Sequence, residues 1–243
     1  MRMLYVMRLH NKKNKIKFIC EEESLAFWPK PIPASKMLPK WYKDTPSYVD
    51  GKKEYAPNGT VSATIKKCMP VFDAITSGYL LLLPSDVYVK RENNEITFMP
   101  SVQKQLITEH VKGQAPTLDV PEEYGPEFFK WKNPWIIRTP KNYSVLFTQP
   151  LHRYDLPFFI LPGVVDTDSF DLSVQFPFLL RKGFEGLIPA GTPIAQVLPF
   201  ERNYWESEFD IQTSVAHANS VSKHFSFFEN TYKKTVWTKK EYK

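Results

Sequence analysis

The pattern of apolar and polar positions predicts a chain built mainly from β-strands. Polar and apolar residues alternate strictly over 171–176, and a period of two is typical of a strand that packs one face on a core. Alternation also predicts strands over 143–148 and 204–213. The apolar run 78–83 predicts a buried strand that continues past Pro84 to residue 90, and the turn 91–94 is expected to lead back into a strand over 96–99 as a hairpin.

The stretch 163–202 has the clearest organisation. It opens with a glycine-led acidic turn, passes through the predicted strand 171–176 and reaches a short apolar segment over 184–188. The turn Pro189-Ala190-Gly191 ends that segment, and the apolar run 194–198 follows it. This order predicts a hairpin-like unit of antiparallel structure. Further strands are predicted over 4–9, 15–20, 96–99, 136–138 and 158–161.

Both ends of the chain depart from this pattern. Residues 21–50 crowd prolines and aromatics together, which predicts an arm that wraps the core, with one short helix over 35–44. A docking arm for a neighbouring subunit is the alternative. Residues 101–132 are expected to be mostly irregular, with a brief helix over 117–123. Apolar residues at steps of three and four predict an amphipathic helix over 215–232.

These patterns divide the chain into three parts. Residues 1–50 form the N-terminal strands and the proline-aromatic arm, residues 51–213 the β core, and residues 214–243 the C-terminal helix with a basic tail. The chain has 21 prolines against 9 glycines, which favours strand ends and extended connections over long helices. Val236 and Trp237 are the residues expected to anchor the tail.

Composition favours a soluble protein with a sizeable core. Apolar residues make up 42% of the 243 residues and aromatic residues 15%. No apolar run approaches the ~20 residues of a membrane span, so no membrane partner is expected. Cys20 and Cys68 do not form a C-x-x-C pair, and two free thiols are expected rather than a disulfide.

The net charge of +6 has its excess at the chain ends. Basic residues are frequent before residue 18 and after residue 232, so the termini could contact nucleic acid or another acidic surface. The alternative is a solvated surface with no such partner.

Two short motifs resemble consecutive motifs of the trimeric dUTPase family. Residues 163–168, GVVDTD, are similar to that family's G-x-[IV]-D-x-D turn, and residues 191–196, GTPIAQ, are similar to its G-x-x-I-A-Q strand. Upstream, residues 139–143 look like its P-x-G-x-Y strand, and residues 150–153 stand where its Arg-Ser-Gly motif lies. The resemblance covers about residues 135–202.

The resemblance implies a dUTPase-like (β-clip) fold, a trimer, and a role for Asp166. In that family the matching carboxylate activates water or holds the sugar 3′-hydroxyl, which suits a group that accepts hydrogen bonds and protons. The chain departs from the family in three places. Ser169, Phe170 and Asp171 replace Tyr-Arg-Gly, Arg153 stands alone without Ser-Gly, and no glycine follows Gly191. These departures argue against triphosphate hydrolysis by that mechanism.

A second resemblance concerns the whole chain. Residues 33–36 (PASK), 39–42 (PKWY), 68–74 (CMPVFDA) and Gly78-Tyr79 are similar to phrases of an uncharacterised family of tailed-phage and bacterial proteins. That family implies no known activity. Because the N-terminal residues contain no apolar core of signal-peptide length, we expect a location in the cytoplasm of a bacterial or phage-infected cell, with the virion as the alternative.

The acidic residues after Gly163 form the candidate site. Asp166 is the candidate catalytic residue, and Asp168 and Asp171 could bind a ligand beside it or hold Mg²⁺. Asp155 and Arg153 could border the same cleft, and Arg138 or Arg202 could contact an anion there. The alternative is that the aspartates satisfy turn amides.

Other chemistry has weaker signals. His152 and Asp155, with His217 or His224, give a poor match to a jelly-roll iron site, because residues three apart on a strand point to opposite faces. Asp73 is either a site residue or a local turn cap. No phosphate-binding loop, dinucleotide fingerprint or nucleophile elbow appears.

We therefore expect a mainly β protein with a dUTPase-like or jelly-roll-like antiparallel core. Two functions stay open. The first is a phage-type protein that binds or modifies a nucleotide-like or small polar ligand at Asp166 and Asp168. The second is a non-enzymatic virion or assembly protein that uses its arms to contact neighbours. A homo-oligomer is compatible with both.

Overall fold

The computed structural model describes residues 14–57, 61–93, 95–109, 115–211, 213–225 and 231–243, with the backbone alone for residues 220–225 and 231. The prediction of a mainly β protein is confirmed, since the described residues form fourteen strands, all paired antiparallel. The strands are β1 Lys17–Ile19, β2 Ile32–Pro33, β3 Tyr79–Leu82, β4 Val87–Glu92, β5 Glu95–Pro100, β6 Ile107–Glu109, β7 Tyr124–Trp131, β8 Ile136–Arg138, β9 Tyr143–Thr148, β10 Phe158–Ile160, β11 Gly163–Val165, β12 Phe176–Arg181, β13 Gly186–Ile188 and β14 Pro193–Glu201.

The strands assemble into four sheets. The largest has the order β11-β9-β14-β3-β2, and a four-stranded sheet has the order β10-β12-β7-β6. A three-stranded sheet follows β13-β4-β5, and β1 pairs with β8 alone. No closed barrel forms among the described strands. The specific dUTPase-like or jelly-roll-like architecture stays a prediction.

A single aromatic core joins the sheets. Trp131 of β7 stacks on Phe178 of β12 with ring centroids 4.6 Å apart, and Phe158 of β10 packs its edge against both rings. β3 is buried on both faces, because Tyr79 and Leu81 enter this core while Leu80 and Leu82 pack with Ala34. Burial on both faces explains why β3 reads as a continuous apolar run.

The α-helices of the described chain are short, and they come before β3 or after β14 in the sequence. They are α1 Glu22–Phe27, α2 Lys40–Asp44, α3 Met69–Thr76, α4 Ser214–Phe225 and α5 Thr231–Thr235. The predicted helix over 35–44 reduces to a 3₁₀ turn at Ala34–Lys36 and to α2, which begins directly after Pro39. The predicted C-terminal helix is confirmed over α4. No helix of the described chain combines the length and apolar character that crossing a membrane requires.

The proline-aromatic arm contributes one strand to the sheets. This strand, β2, pairs with β3 at the edge of the five-stranded sheet, while β1, which precedes the arm, pairs with β8. The Trp41 indole donates to the carbonyl of His152 at 2.8 Å, which pins α2 to the core. These contacts agree with the predicted wrap within the chain.

Several strand predictions are confirmed. The predicted strands 15–20, 136–138, 143–148 and 158–161 contain β1, β8, β9 and β10, and β4 forms the expected hairpin with β5. The predicted strand 4–9 lies outside the described residues. Cys20 and Cys68 are free thiols, as expected.

The predicted strand 171–176 is wrong. Residues 171–175 have no ladder partner, and β12 begins where the prediction ended, at Phe176. Leu172 points to solvent with 67% of its surface exposed, so alternation here does not reflect a buried face. The hairpin-like unit is also wrong, because β12, β13 and β14 lie in three different sheets.

Three other predictions need correction. Residues 204–211 of the predicted strand 204–213 form no strand and pair with no other described strand, and residue 212 lies outside the described residues. The run 78–90 divides at residues 83–86 into β3 and β4, which belong to different sheets. The region 101–132 contains β6 and the eight-residue β7, and residues 117–123 form turns instead of a helix.

Candidate functional site

The acidic turn lies where three strands of the five-stranded sheet end. β11 stops at Val165, and the backbone amides of Ser169 and Phe170 donate to the carbonyl of Asp166 at 3.1 and 3.0 Å to close the turn. β9 pairs with both β11 and β14, so the start of β9 and the end of β14 meet beside this turn. The residues that surround Asp166 therefore come from three separate segments.

Asp168 is bound firmly within this junction. Its Oδ1 accepts from Arg202 Nη1 at 3.0 Å, and its Oδ2 accepts from Arg202 Nη2 and from the Asn142 amide, the latter at 2.8 Å. Only 10% of its side chain is exposed. The hydrogen bonds from Arg202, followed by that from Asn142, lower the pKa of Asp168 to about 2. Asp168 therefore has a structural role, because both of its carboxylate oxygens already accept hydrogen bonds within the chain.

Asp166 has a different environment. Its Oδ1 accepts from Ser144 Oγ at 2.6 Å and lies 3.1 Å from Arg202 Nη1. Its Oδ2 has no hydrogen-bond donor among the described residues, and 63% of the side chain is exposed. One oxygen therefore orients the carboxylate while the other faces solvent and can accept a hydrogen bond from a ligand.

Arg202 links the two aspartates and has little capacity left for an anion. Besides both carboxylates, its Nη1 contacts Ser144 Oγ at 3.0 Å and the carbonyl of Tyr143 at 3.3 Å. The hydrogen bonds to Asp168 raise the pKa of the guanidinium, which stays charged. Two carboxylates against one guanidinium leave a net negative charge, so the site favours hydroxyl or amine donors over phosphate.

Exposed apolar side chains flank Asp166 in the sequence. Val164 precedes it by two residues, Phe170 follows by four, and all three of Val164, Phe170 and Leu172 are exposed. Small-molecule sites combine apolar side chains with a few polar groups that fix the ligand's orientation, and the residues around this turn in the sequence offer both kinds.

Two further predicted site residues, Arg138 and Asp171, lie beside the turn and bind each other. Arg138 forms an ion pair with Asp171, and the following residue, Thr139, bonds Thr167 through their hydroxyls at 2.7 Å and through the backbone at 3.3 Å. The end of β8 is thereby attached to the acidic turn. The guanidinium of Arg138 is engaged by Asp171 instead of pointing freely at Asp166.

Arg153 and Asp155 lie elsewhere. They belong to the connection from β9 to β10, and so follow the far end of β9, whereas Asp166 faces its start. A six-residue strand separates its two ends by roughly 17–20 Å. Arg153 Nε and Nη2 each donate to Asp155 at 2.8 Å, and this lowers the pKa of Asp155. The structure does not bring this pair to the acidic turn.

Metal ligation finds no support in the described part of the chain. No three His, Cys, Asp or Glu side chains of these residues come together as metal ligands would. Asp168 and Asp171 each pair with an arginine, and Asp155 does so as well. His152 packs against Trp41 and Tyr154, and the side chain of His224 lies outside the described residues.

Two residues of the site were missed from the sequence. Ser144 holds Asp166, and Asn142, at a φ of 71°, supplies an amide to Asp168 and a side-chain bond to the Arg202 carbonyl at 2.8 Å. The pair Lys141-Asn142 before an alternating strand is a turn signal that could have indicated the left-handed residue. Ser144 had no comparable signal.

Gln196 of the I-A-Q motif has a structural role. Its side chain is buried and accepts from the Leu151 amide at 2.8 Å. Its Nε2 donates to the carbonyls of Ala74 and Ser77 at 3.0 and 2.7 Å. One side chain thus satisfies three backbone groups, from the end of α3, from the residue that follows this helix and from the β9–β10 connection, so this part of the motif holds the fold together.

Asp73 is neither a local cap nor part of the acidic turn. Its carboxylate accepts from Trp237 Nε1 at 3.0 and 2.9 Å and from Lys240 Nζ at 2.6 Å. The interpretation as a turn cap is therefore wrong, because the partners come from the C-terminal tail. Trp237 anchors that tail, as predicted.

No protein-family model, curated protein or solved structure matches the chain. The function must therefore be argued from the geometry of the site.

Proposed function

We propose that the chain is a phage-type protein that binds a small ligand rich in hydroxyl groups, such as a nucleoside or its phosphates, through Asp166. The observation that supports this proposal is the division of roles between the two aspartates. Asp168 is occupied by Arg202 and Asn142, while Asp166 is oriented on one oxygen and open on the other.

The chemistry of the site favours recognition of the sugar. An ionised carboxylate accepts strong hydrogen bonds from hydroxyl groups. Because Arg202 is engaged by both aspartates, a phosphate would gain little from its guanidinium. The local resemblance to the trimeric dUTPases supports the same contact, since their matching carboxylate holds a sugar hydroxyl. Any phosphate groups would therefore extend away from Asp166.

The experiment is a thermal-shift screen against nucleosides, nucleotides and simple sugars, with and without Mg²⁺. A ligand that binds only the native state raises the melting temperature by mass action, about 2.7 kcal/mol of stabilisation at a hundredfold excess over Kd. The shift should disappear in Asp166→Asn, which keeps the shape but weakens the acceptor, and should persist in Asp155→Asn. No shift with any compound would overturn the proposal.

A second function has an observation of its own. Residues 203–211 carry four large apolar side chains in open solvent, at Tyr204, Trp205, Phe209 and Ile211. Soluble monomers rarely expose apolar groups together, and such groups mark interaction sites. We therefore propose, as an alternative that can coexist with the first, that the chain acts as an assembly or interaction protein.

A further inference from the structure

The segment 203–211, here called the acidic arm, has the sequence pattern of a strand but belongs to no sheet. It lies between β14 and α4 in the chain, and Tyr204, Trp205, Phe209 and Ile211 are each at least 83% exposed. From Trp205 onward apolar and acidic residues alternate, except that Ser207 takes one apolar position. In an extended chain, Trp205, Phe209 and Ile211 lie on one side, and Glu206, Glu208 and Asp210 on the other.

The charge of this arm is opposite to that of the protein. The acidic arm carries three carboxylates and no lysine or arginine, in a chain whose net charge is +6. An arm with this composition is attracted to a basic surface that also offers apolar contacts. The same chain carries such a surface.

That surface, here called the basic surface, spans residues 36–67 without the loop tip 58–60. It is held by bridges from Tyr48 to Ala63 and from Tyr55 to Val61, and by the Val49 amide on the Ser62 carbonyl at 2.8 Å. Exposed apolar side chains lie at Val49, Tyr55 and Ile65. Its lysines outnumber its acids by seven to three, and they are Lys36, Lys40, Lys43, Lys52, Lys53, Lys66 and Lys67.

We propose that the acidic arm of one copy binds the basic surface of a second copy of this chain. This inference rests on the second of the two proposed functions and names its partner. Within one chain, the arm is exposed to solvent along its whole described length and does not lie on the basic surface. Every copy offers both the arm and the surface, so exchange between copies satisfies both.

The area available is sufficient for a specific contact. A buried aromatic side chain removes about 150–250 Å² from solvent, so Trp205 and Phe209, which share one side of the arm, would contribute roughly 300–500 Å² per arm. A symmetric dimer exchanges two arms, for about 600–1,000 Å², and the covered parts of the two basic surfaces add a comparable area, for a total of about 1,200–2,000 Å². Specific interfaces begin near 1,000 Å². The exchange therefore reaches the size of a stable interface without help from the sheets.

The experiment is sedimentation velocity on the full chain from about 1 to 100 µM, a range in which association with a micromolar Kd is detected. The wild type should associate at low salt and dissociate as salt rises, because exposed charges are screened. Glu206→Lys with Glu208→Lys should give a monomer, and so should Lys52→Glu with Lys53→Glu. Glu122→Lys with Glu185→Lys makes the same charge change at exposed positions outside the arm and should leave association intact.

Recombining the reversed charges gives the decisive result. Mixing the two charge-reversed proteins restores both complementary contacts, because the reversed arm faces the reversed surface and the unchanged arm faces the unchanged surface, and a hetero-dimer should form. Trp205→Ala with Phe209→Ala should abolish association in every background. A wild type that stays monomeric at 100 µM, or charge-reversed variants that associate like the wild type, would overturn the inference. Neither result changes the ligand screen on Asp166, so the two proposals fail separately.

Discussion

Arg202 binds Asp168 with both terminal nitrogens of its guanidinium, and Asp168 in return holds the end of β14 against the turn that follows β11. The Arg202 amide also donates to the Asn142 carbonyl at 2.9 Å, so the start of β9 joins the same junction. This arrangement separates the two acidic residues of the turn. Asp168 stabilises the fold, and Asp166 is left for a ligand.

The ion pair between Asp168 and Arg202 predicts that the free energy of unfolding falls at low pH. The pKa of Asp168 is about 2 in the folded chain, against an ordinary value of 3.8 in the unfolded chain. As pH falls, the carboxyl of Asp168 is protonated in the unfolded chain before it is protonated in the folded chain. The stabilisation that the ionised Asp168 gives the fold is therefore complete above about pH 4 and is lost toward pH 2. Urea unfolding of wild type and Asp168→Asn from pH 2 to pH 7 should show two curves that converge in acid. Parallel curves would contradict the assignment.

Two glycines with the same backbone angle should respond differently to alanine. Gly78 and Gly183 both have a φ of 69°, but their surroundings differ. A Cβ added at Gly78 would lie 2.0 Å from the Val197 carbonyl oxygen, whereas a Cβ added at Gly183 would have no atom within 4 Å. Gly183→Ala should cost only the strain of the left-handed conformation, about 1 kcal/mol. Gly78→Ala should cost more than about 3 kcal/mol, because the backbone of β14 must move. Equal losses in urea unfolding would refute this account of Gly78.

Gln196→Met should reveal how much the motif residue stabilises the chain. The substitution keeps the length of the side chain but leaves the Leu151 amide and the carbonyls of Ala74 and Ser77 without their partner. Each buried group left unpaired costs about 1–3 kcal/mol, so with three such groups the free energy of unfolding should fall by at least about 3 kcal/mol. Gln103→Met, at an exposed position, is the control and should change it by less than about 0.5 kcal/mol.

Trp237→Phe should release the C-terminal tail from α3. The change removes the indole donor to Asp73 and keeps an aromatic ring. A hydrogen bond to a charged group contributes about 1.5–3 kcal/mol, so backbone amides of the tail should exchange with deuterium more than tenfold faster. Trp205→Phe, in open solvent, should leave tail exchange unchanged. Unchanged exchange in Trp237→Phe would mean that the Lys240–Asp73 ion pair and the packing of Tyr242 on Tyr79 hold the tail without the indole.

The sequence predicted those parts of the fold whose pattern is local. The alternation of β9, the hairpin of β4 with β5 and the helix α4 depend on residues close in sequence, and all three are confirmed. The pairing of β12 with β7 across some fifty residues involves a strand that contains Pro177, and proline is uncommon inside central strands, so no local pattern indicates this strand. Strict alternation over 171–176 misled, because periodicity does not report whether a facing strand exists.

The candidate site was predicted in its acidic residues but not in their roles. Asp166, Asp168 and Arg202 do come together, since β9 lies between β11 and β14. Which carboxylate is occupied depends on the reach of Arg202 and on the amide of Asn142, and both are set by tertiary pairing. The same cause explains Arg153 and Asp155, which are close in sequence to the turn but follow the opposite end of β9.

The measurement that tests the division of roles most directly is thermal unfolding of Asp166→Asn and Asp168→Asn at pH 7, beside wild type and without ligand. Both variants remove one negative charge from the same turn. The structure predicts that Asp168→Asn melts well below wild type, because Arg202 loses its bidentate partner, and that Asp166→Asn melts close to it. If Asp166→Asn were the less stable of the two, Asp166 would be the structural residue and the proposed ligand site would be wrong.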